Sequence, residues 1–155
     1  MDDYGQAYVA GNVVENNETV SDAASAIQNV FTNLALREEN FPEARVHAEE
    51  QLRIELALSN GAAQLVTAYA LLGQVLERLD EFEESEKARR EAVRLSESGE
   101  GGLQRHQLAA LTHLGRLLNE RGRPREALEF DQRALTVGEA TLGAEAPRMV
   151  GVLQN

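Results

Sequence analysis

The side chains best suited to chemistry in this sequence are two histidines on one predicted helix. His106 and His113 are seven residues apart, which places them two helical turns apart on the same face. A metal site needs a third and a fourth ligand in suitable geometry, and no neighbouring residue completes a convincing set. We therefore interpret both as surface or packed histidines, and we expect neither a metal site nor a cofactor.

Two further segments resemble parts of active sites, but local structure explains them better. The acidic run at 81–84 opens a predicted helix, where carboxylates interact favourably with the positive end of the helix dipole. The glycine-rich segment 99–102 lacks the preceding strand and the following Lys-Ser/Thr of a phosphate-binding loop, so it is interpreted as a turn. The chain has no cysteine, which excludes thiolate nucleophiles and disulfides. We predict that the chain is not an enzyme.

The net charge of −11 limits the partners that the chain can have. Nucleic acids and anionic membranes are bound through basic surfaces, so neither is expected as a partner. No apolar run is long enough to span a bilayer, and the N-terminus lacks the basic stretch and apolar run of a secretory signal. The cytoplasm is therefore the expected location.

The elements that must position these side chains are all predicted to be helices. Ala and Leu account for most of the apolar residues and Glu and Arg for most of the charged ones, and all four favour helices. Pro42, Pro124 and Pro147 stand where helices can begin. The apolar spacing predicts helices at about residues 20–39, 42–59, 62–79, 82–98, 104–121, 124–141 and 147–155.

These helices repeat in pairs. The Leu-Gly pair at 72–73 returns 42 residues later at 114–115, and Phe41 stands 41 residues before Phe82. A glycine inside a helix costs roughly 1 kcal/mol relative to alanine, so its recurrence indicates the close approach of a second helix. Neither helix of a pair can bury its apolar stripe alone, and we therefore expect the pairs to stack on one another.

The repeated residues resemble the tetratricopeptide repeat family. The family's pattern is matched by Leu72, Gly73, Asp80, Phe82, Ser85 and Ala92, and again by Leu114, Gly115, Gly122, Ala127 and Ala134. The family's usual period is about 34 residues, and the longer period here resembles the kinesin light chain subtype. Residues 139–150 are similar to the segment that follows the second helix in that subtype, with Ala146 in place of its usual His. The resemblance implies an all-α fold, a right-handed α-solenoid of stacked antiparallel helix hairpins.

Two regions are expected along the chain. Residues 1–19 form an N-terminal cap or a disordered lead-in, with a loop over 12–19, and residues 20–155 form a tetratricopeptide repeat domain of three repeats plus a C-terminal half-repeat. The first repeat is degenerate, because Phe31 and Thr32 stand where Leu-Gly is expected.

The half-repeat has three interpretations. Its helix can close the stack, the chain can be a fragment of a longer array, or the unfinished edge can pair with a second copy in a two-fold dimer. The apolar residues of that edge are Met149, Val150, Val152 and Leu153.

The resemblance also implies a groove lined by the first helix of each hairpin. The groove positions carried over from the family are Asn29, Asn33, Arg37, Thr67, Gln74, Arg78, Thr112, His113, Arg116, Asn119, Gln154 and Asn155. Amides can both donate to and accept from a peptide backbone, and Arg37, Arg78 and Arg116 would form a positive stripe. The alternative is that these residues are only solvated, or paired with neighbours such as Glu77 and Glu120.

Function follows from the resemblance as an expectation. The chain is expected to be a protein- or peptide-binding repeat scaffold, the sensor or partner-recruiting part of a larger bacterial regulatory protein. The alternative is a self-associating structural module that dimerises through its terminal half-repeat.

Overall fold

The computed structural model describes residues 3–58, 61–98 and 103–142. Over these ranges the chain forms six helices and no strand. The helices are α1 (Asp3–Arg37), α2 (Phe41–Leu58), α3 (Ala62–Arg78), α4 (Phe82–Ser98), α5 (Gln104–Glu120) and α6 (Pro124–Leu142). None of the described helices is long and apolar enough to cross a membrane.

Each helix packs against the next one in the chain, and the six helices form three antiparallel hairpins. The first helices of the hairpins are α1, α3 and α5, and α3 also contacts α5 across the stack. The predicted all-α array of stacked antiparallel hairpins is therefore confirmed.

The helix starts follow the period in the sequence. α3 and α5 both have 17 residues and begin 42 residues apart, at Ala62 and Gln104. α4 and α6 also begin 42 residues apart, whereas α2 begins 41 residues before α4. The second and third hairpins are thus structural copies, and the first differs by one residue.

The turn inside each hairpin has the same geometry. Glu39, Asp80 and Gly122 occupy equivalent positions and have φ values of 58°, 60° and 73°. In each turn the next residue donates a backbone hydrogen bond to the carbonyl five residues earlier, at 2.8–2.9 Å, as from Asn40 N–H to the Ala35 oxygen. This pattern ends a helix with one left-handed residue, a conformation that glycine adopts without strain.

The interior changes character along the stack. In the third hairpin Leu111, Leu114, Leu117 and Leu118 are fully buried. The first hairpin instead buries polar side chains, namely Ser25, Thr32, Gln51 and Glu55. This difference explains why the apolar pattern of the first repeat is degenerate in the sequence.

Two sequence-based expectations concern the ends of the chain. The predicted loop over residues 12–19 is wrong, because α1 is continuous from Asp3. Asn and Thr lower helix propensity by only tenths of a kcal/mol each, and no proline precedes Pro42. The division at residue 19 stays a prediction. The predicted helix at 147–155, with the dimer residues Met149, Val150, Val152 and Leu153 and the groove candidates Gln154 and Asn155, lies outside the described residues.

Candidate partner-binding groove

Side chains of α1, α3 and α5 line an open groove of about 760 Å³. The predicted groove residues that line it are Asn29, Asn33, Thr67, Gln74, Arg78, His113 and Arg116. The lining also includes the apolar residues Val66, Ala70, Leu71, Ala109 and Ala110. The groove therefore combines a small apolar surface with hydrogen-bonding groups, which is the composition of a typical ligand-binding site.

Three predicted residues do not line this groove. Thr112 and Asn119 are seven residues apart on a stripe of α5 adjacent to the one that lines the groove, and both are exposed. Arg37 is the last residue of α1 and is also exposed. Transfer of family positions was thus correct for the groove wall to within about one residue around each helix.

An ion-pair network lies at the Arg116 end of the groove. The Glu77 carboxylate accepts hydrogen bonds from the Arg89 guanidinium and, at 2.8 Å, from Arg116. Arg116 also donates to Glu120 at 2.7 Å. Glu77 is 13% exposed and Arg89 only 3%, whereas Glu120 is 53% exposed. The pair of Glu77 and Arg89 is therefore a buried ion pair with a surface extension.

The charge of Glu77 is stabilised by its partners. Burial alone would raise the pKa of the Glu77 carboxyl, but hydrogen bonds from Arg89 and Arg116 outweigh it and lower the pKa. The Ser85 hydroxyl donates to the Gly73 carbonyl oxygen at 2.8 Å and also lies within hydrogen-bonding distance of Glu77, at 3.3 Å. Glu77 is therefore ionised at neutral pH.

Gly73 makes room for Arg89 to reach the groove from α4. A Cβ atom at Gly73 would lie 3.0 Å from Arg89 Cγ, closer than such atoms normally approach. The equivalent glycine of the third hairpin, Gly115, lies against Asp131, whose Cγ would be 3.2 Å from an added Cβ. The packing reason predicted for these two glycines is confirmed, and at Gly73 the neighbour is a charged side chain.

Both histidines of α5 line the groove. Burial lowers the pKa of His113, and the positive charges of Arg89 and Arg116 lower it further. The Nδ1 atom of His106 is buried and has no hydrogen-bond partner among the described residues. In the described part of the chain no group of three or more metal-binding side chains comes together.

The predicted positive stripe is not continuous, and its three arginines have different surroundings. Arg116 is neutralised by two carboxylates, and Arg37 does not line the groove. Arg78 lies over the Phe41 ring, 4.9 Å from its centroid, and forms no ion pair with a described residue. Arg78 is thus the arginine of the groove whose charge stays available to a partner.

Sequence reasoning missed three important residues of the groove, namely His106, Glu77 and Arg89. His106 could have been found from its seven-residue spacing to His113. Glu77 was considered only as a neighbour of Arg78, and its actual partners are Arg89 and Arg116. Arg89 lies on a second helix of a hairpin, where the family's groove positions do not occur.

Comparison with known proteins gives two matches. The sequence profile of the tetratricopeptide repeat family matches residues 64–140. The fold is similar to the solved N-terminal domain of stress-induced protein-1 (STI-1) from C. elegans, with a TM-score of 0.62 and 19% sequence identity over 87% of this chain and 97% of that one. No curated protein sequence matches the chain.

Proposed function

We propose that this chain, whose residues 64–140 belong to the tetratricopeptide repeat family, binds a peptide segment of a partner protein in the groove between α1, α3 and α5. Domains of this family are generally protein-binding scaffolds and typically have no catalytic activity. The observation that carries the proposal is the groove itself, which three successive first helices line with amide, arginine and histidine side chains.

The hydrogen-bonding groups of the groove support a peptide as the ligand. The Gln74 amide is exposed and makes no hydrogen bond with a described residue, so it is free to bind a peptide backbone. Asn33 donates to the Asn29 carbonyl oxygen at 2.8 Å and keeps acceptor capacity. Arg78 adds a positive charge that favours an acidic residue in the ligand.

The finer proposal concerns subtype and context. We propose that the array is of the kinesin light chain-like subtype and serves as the sensor or partner-recruiting part of a larger bacterial regulatory protein. The support is the 42-residue period of α3 to α6 and the similarity of residues 139–150 to that subtype. Sequencing of the complete gene would test this directly, since a single-domain product would contradict it.

Binding to the groove can be tested without a known partner. Peptides would be selected by display against the chain, and their affinities measured by fluorescence anisotropy. Asn33→Ala and Gln74→Ala together should weaken binding by about 5–100-fold, because each lost hydrogen bond is worth about 0.5–1.5 kcal/mol. The matched control is Gln132→Ala, an exposed amide on α6 that does not line the groove. Equal losses in both variants would show that the peptides bind elsewhere.

The alternative function, self-association through the terminal half-repeat, falls outside the described residues and stays a prediction. It would be tested by replacing Val152 and Leu153 with Glu and measuring sedimentation over a range of concentrations. A variant that associates like the wild type would exclude this edge as the interface.

A further inference from the structure

α1 has an apolar face that stays open among the described residues. Val20, Ala23, Ile27, Val30 and Leu34 follow one another at alternating intervals of three and four residues, which places them on one side of the helix. All five are exposed, and the four larger side chains are 47–66% exposed. We call these five residues the α1 stripe.

The α1 stripe is separate from the two other working faces of the helix. Ser25, Thr32 and Ala35 are buried in the first hairpin, and Asn29 and Asn33 line the groove. At about 100° per residue, the centre of the α1 stripe lies roughly a third of a turn from each of these faces. A molecule bound to the α1 stripe therefore need not obstruct the groove.

The spacing of the α1 stripe is that of a coiled-coil seam. Alternation of three and four residues keeps an apolar line facing a partner helix, with Val20, Ile27 and Leu34 at one set of positions. Branched residues such as Val and Ile at these positions favour two-stranded association. The same seven-residue spacing continues in the sequence at Val13.

The length of α1 points to the occupant. α1 has 35 residues, whereas the other five helices have 17–19. At 1.5 Å per residue these lengths are about 52 Å and about 26–29 Å. Another hairpin of the array's own size would cover about half of α1, whereas a second α1 matches all of it.

The charge distribution is also that of an interface. Asp22 is the only charged residue between positions 20 and 36, whereas nine of the 17 residues of α4 are charged. Depletion of charge is characteristic of the core of a protein–protein interface. In a chain of net charge −11, a nearly uncharged face is the surface on which two copies can meet with the least repulsion.

We propose that two copies of this chain associate through their α1 stripes in a two-fold dimer, which leaves both grooves open. The same patch then faces itself across the axis, as a closed two-fold interface requires. The inference does not depend on the proposed function, because the α1 stripe and the groove use different residues.

Sedimentation velocity of the full chain at about 1–200 µM tests this dimer. The wild type should shift from monomer to dimer with concentration, and higher salt should strengthen association, because it screens the repulsion between two negative chains. Ile27→Glu with Leu34→Glu should weaken association by at least about 100-fold, because two charges per copy would be buried without partners. A wild type that is monomeric at the highest concentration overturns the proposal.

Control variants separate the α1 stripe from other surfaces. Leu128→Glu with Leu135→Glu is matched in chemistry, spacing and exposure, since both leucines are exposed on α6, and it should leave the dimer intact. If this α6 variant is monomeric while the α1 variant dimerises, the interface is at the other end of the array and the proposal fails. Ile27→Ser with Leu34→Ser, checked for helicity by circular dichroism, replaces the Glu variant in this comparison if the Glu variant does not fold. Peptide binding should persist in either α1 variant.

Discussion

Removal of the Glu77 charge should destabilise the fold far more than removal of the Glu120 charge, although both carboxylates bind the same arginine. The Glu77→Gln substitution keeps the shape of the side chain but leaves the Arg89 guanidinium, 3% exposed, without a counter-charge. Loss of one partner of a buried ion pair costs about 3–5 kcal/mol, and a residual hydrogen bond from the amide reduces this to about 2–4 kcal/mol. Glu120 is 53% exposed, so Glu120→Gln should change stability by no more than about 0.5 kcal/mol.

The two variants can be compared by urea and thermal unfolding monitored by circular dichroism. For a chain of this size roughly 2–4 °C corresponds to 1 kcal/mol, so Glu77→Gln should lower the melting temperature by roughly 5–15 °C. Addition of Arg89→Met to Glu77→Gln should recover much of the loss, because an apolar side chain removes the uncompensated charge. Equal stability of Glu77→Gln and Glu120→Gln, or no recovery in the double variant, would refute the buried ion pair.

The same carboxylate sets part of the pH dependence of stability. The pKa of Glu77 is lower in the folded state than in the unfolded state, where it is about 4.3. Its contribution is therefore fully present above about pH 5 and is lost as the pH falls through the folded-state pKa. The wild type should lose stability in this acid range more steeply than Glu77→Gln, while Glu120→Gln should follow the wild type.

Three further predictions concern a histidine and four backbone positions. His113 should titrate below its usual value of about 6.5, because burial and two nearby arginines oppose its protonation, and an NMR titration measures this. Gly73→Ala should destabilise the fold by about 1–3 kcal/mol through its clash with a buried arginine, whereas Gly138→Ala, where an added Cβ is 3.7 Å from its nearest neighbour, should stabilise it by up to about 1 kcal/mol. Glu39→Gly should raise stability and Gly122→Ala lower it, each by about 1 kcal/mol, because both positions have positive φ; unfolding curves measure each change.

Much of the fold was predictable because it is repetitive. The Leu-Gly pairs at 72–73 and 114–115 fixed the period, and the helices α3 to α6 begin at the spacing that they imply. Apolar spacing identifies helices well when one face is packed. The first hairpin was harder, because its interior contains Thr32 and Glu55, and polar residues give no such periodic signal.

The groove was predictable in outline and not in its electrostatics. Positions on α3 and α5 follow from helical geometry, so Gln74 and His113 could be placed from the sequence. Arg89 comes from α4 and pairs with Glu77 only because Gly73 leaves space for it, a relation between three separate positions that no periodic pattern reveals. The length of α1 was missed because Asn and Thr were interpreted as loop formers, although in this helix they are tolerated.

The polar interior of the first hairpin has a consequence for how the array opens. In a stacked array each hairpin is held by its own packing and by one or two neighbours, so local opening free energies differ along the chain. Ser25, Gln51 and Glu55 offer little apolar stabilisation to α1 and α2, whereas the leucines of α5 anchor the other end. Amide hydrogen exchange should therefore be fastest in α2 and slowest in α5, and one wall of the groove detaches while the opposite wall stays folded.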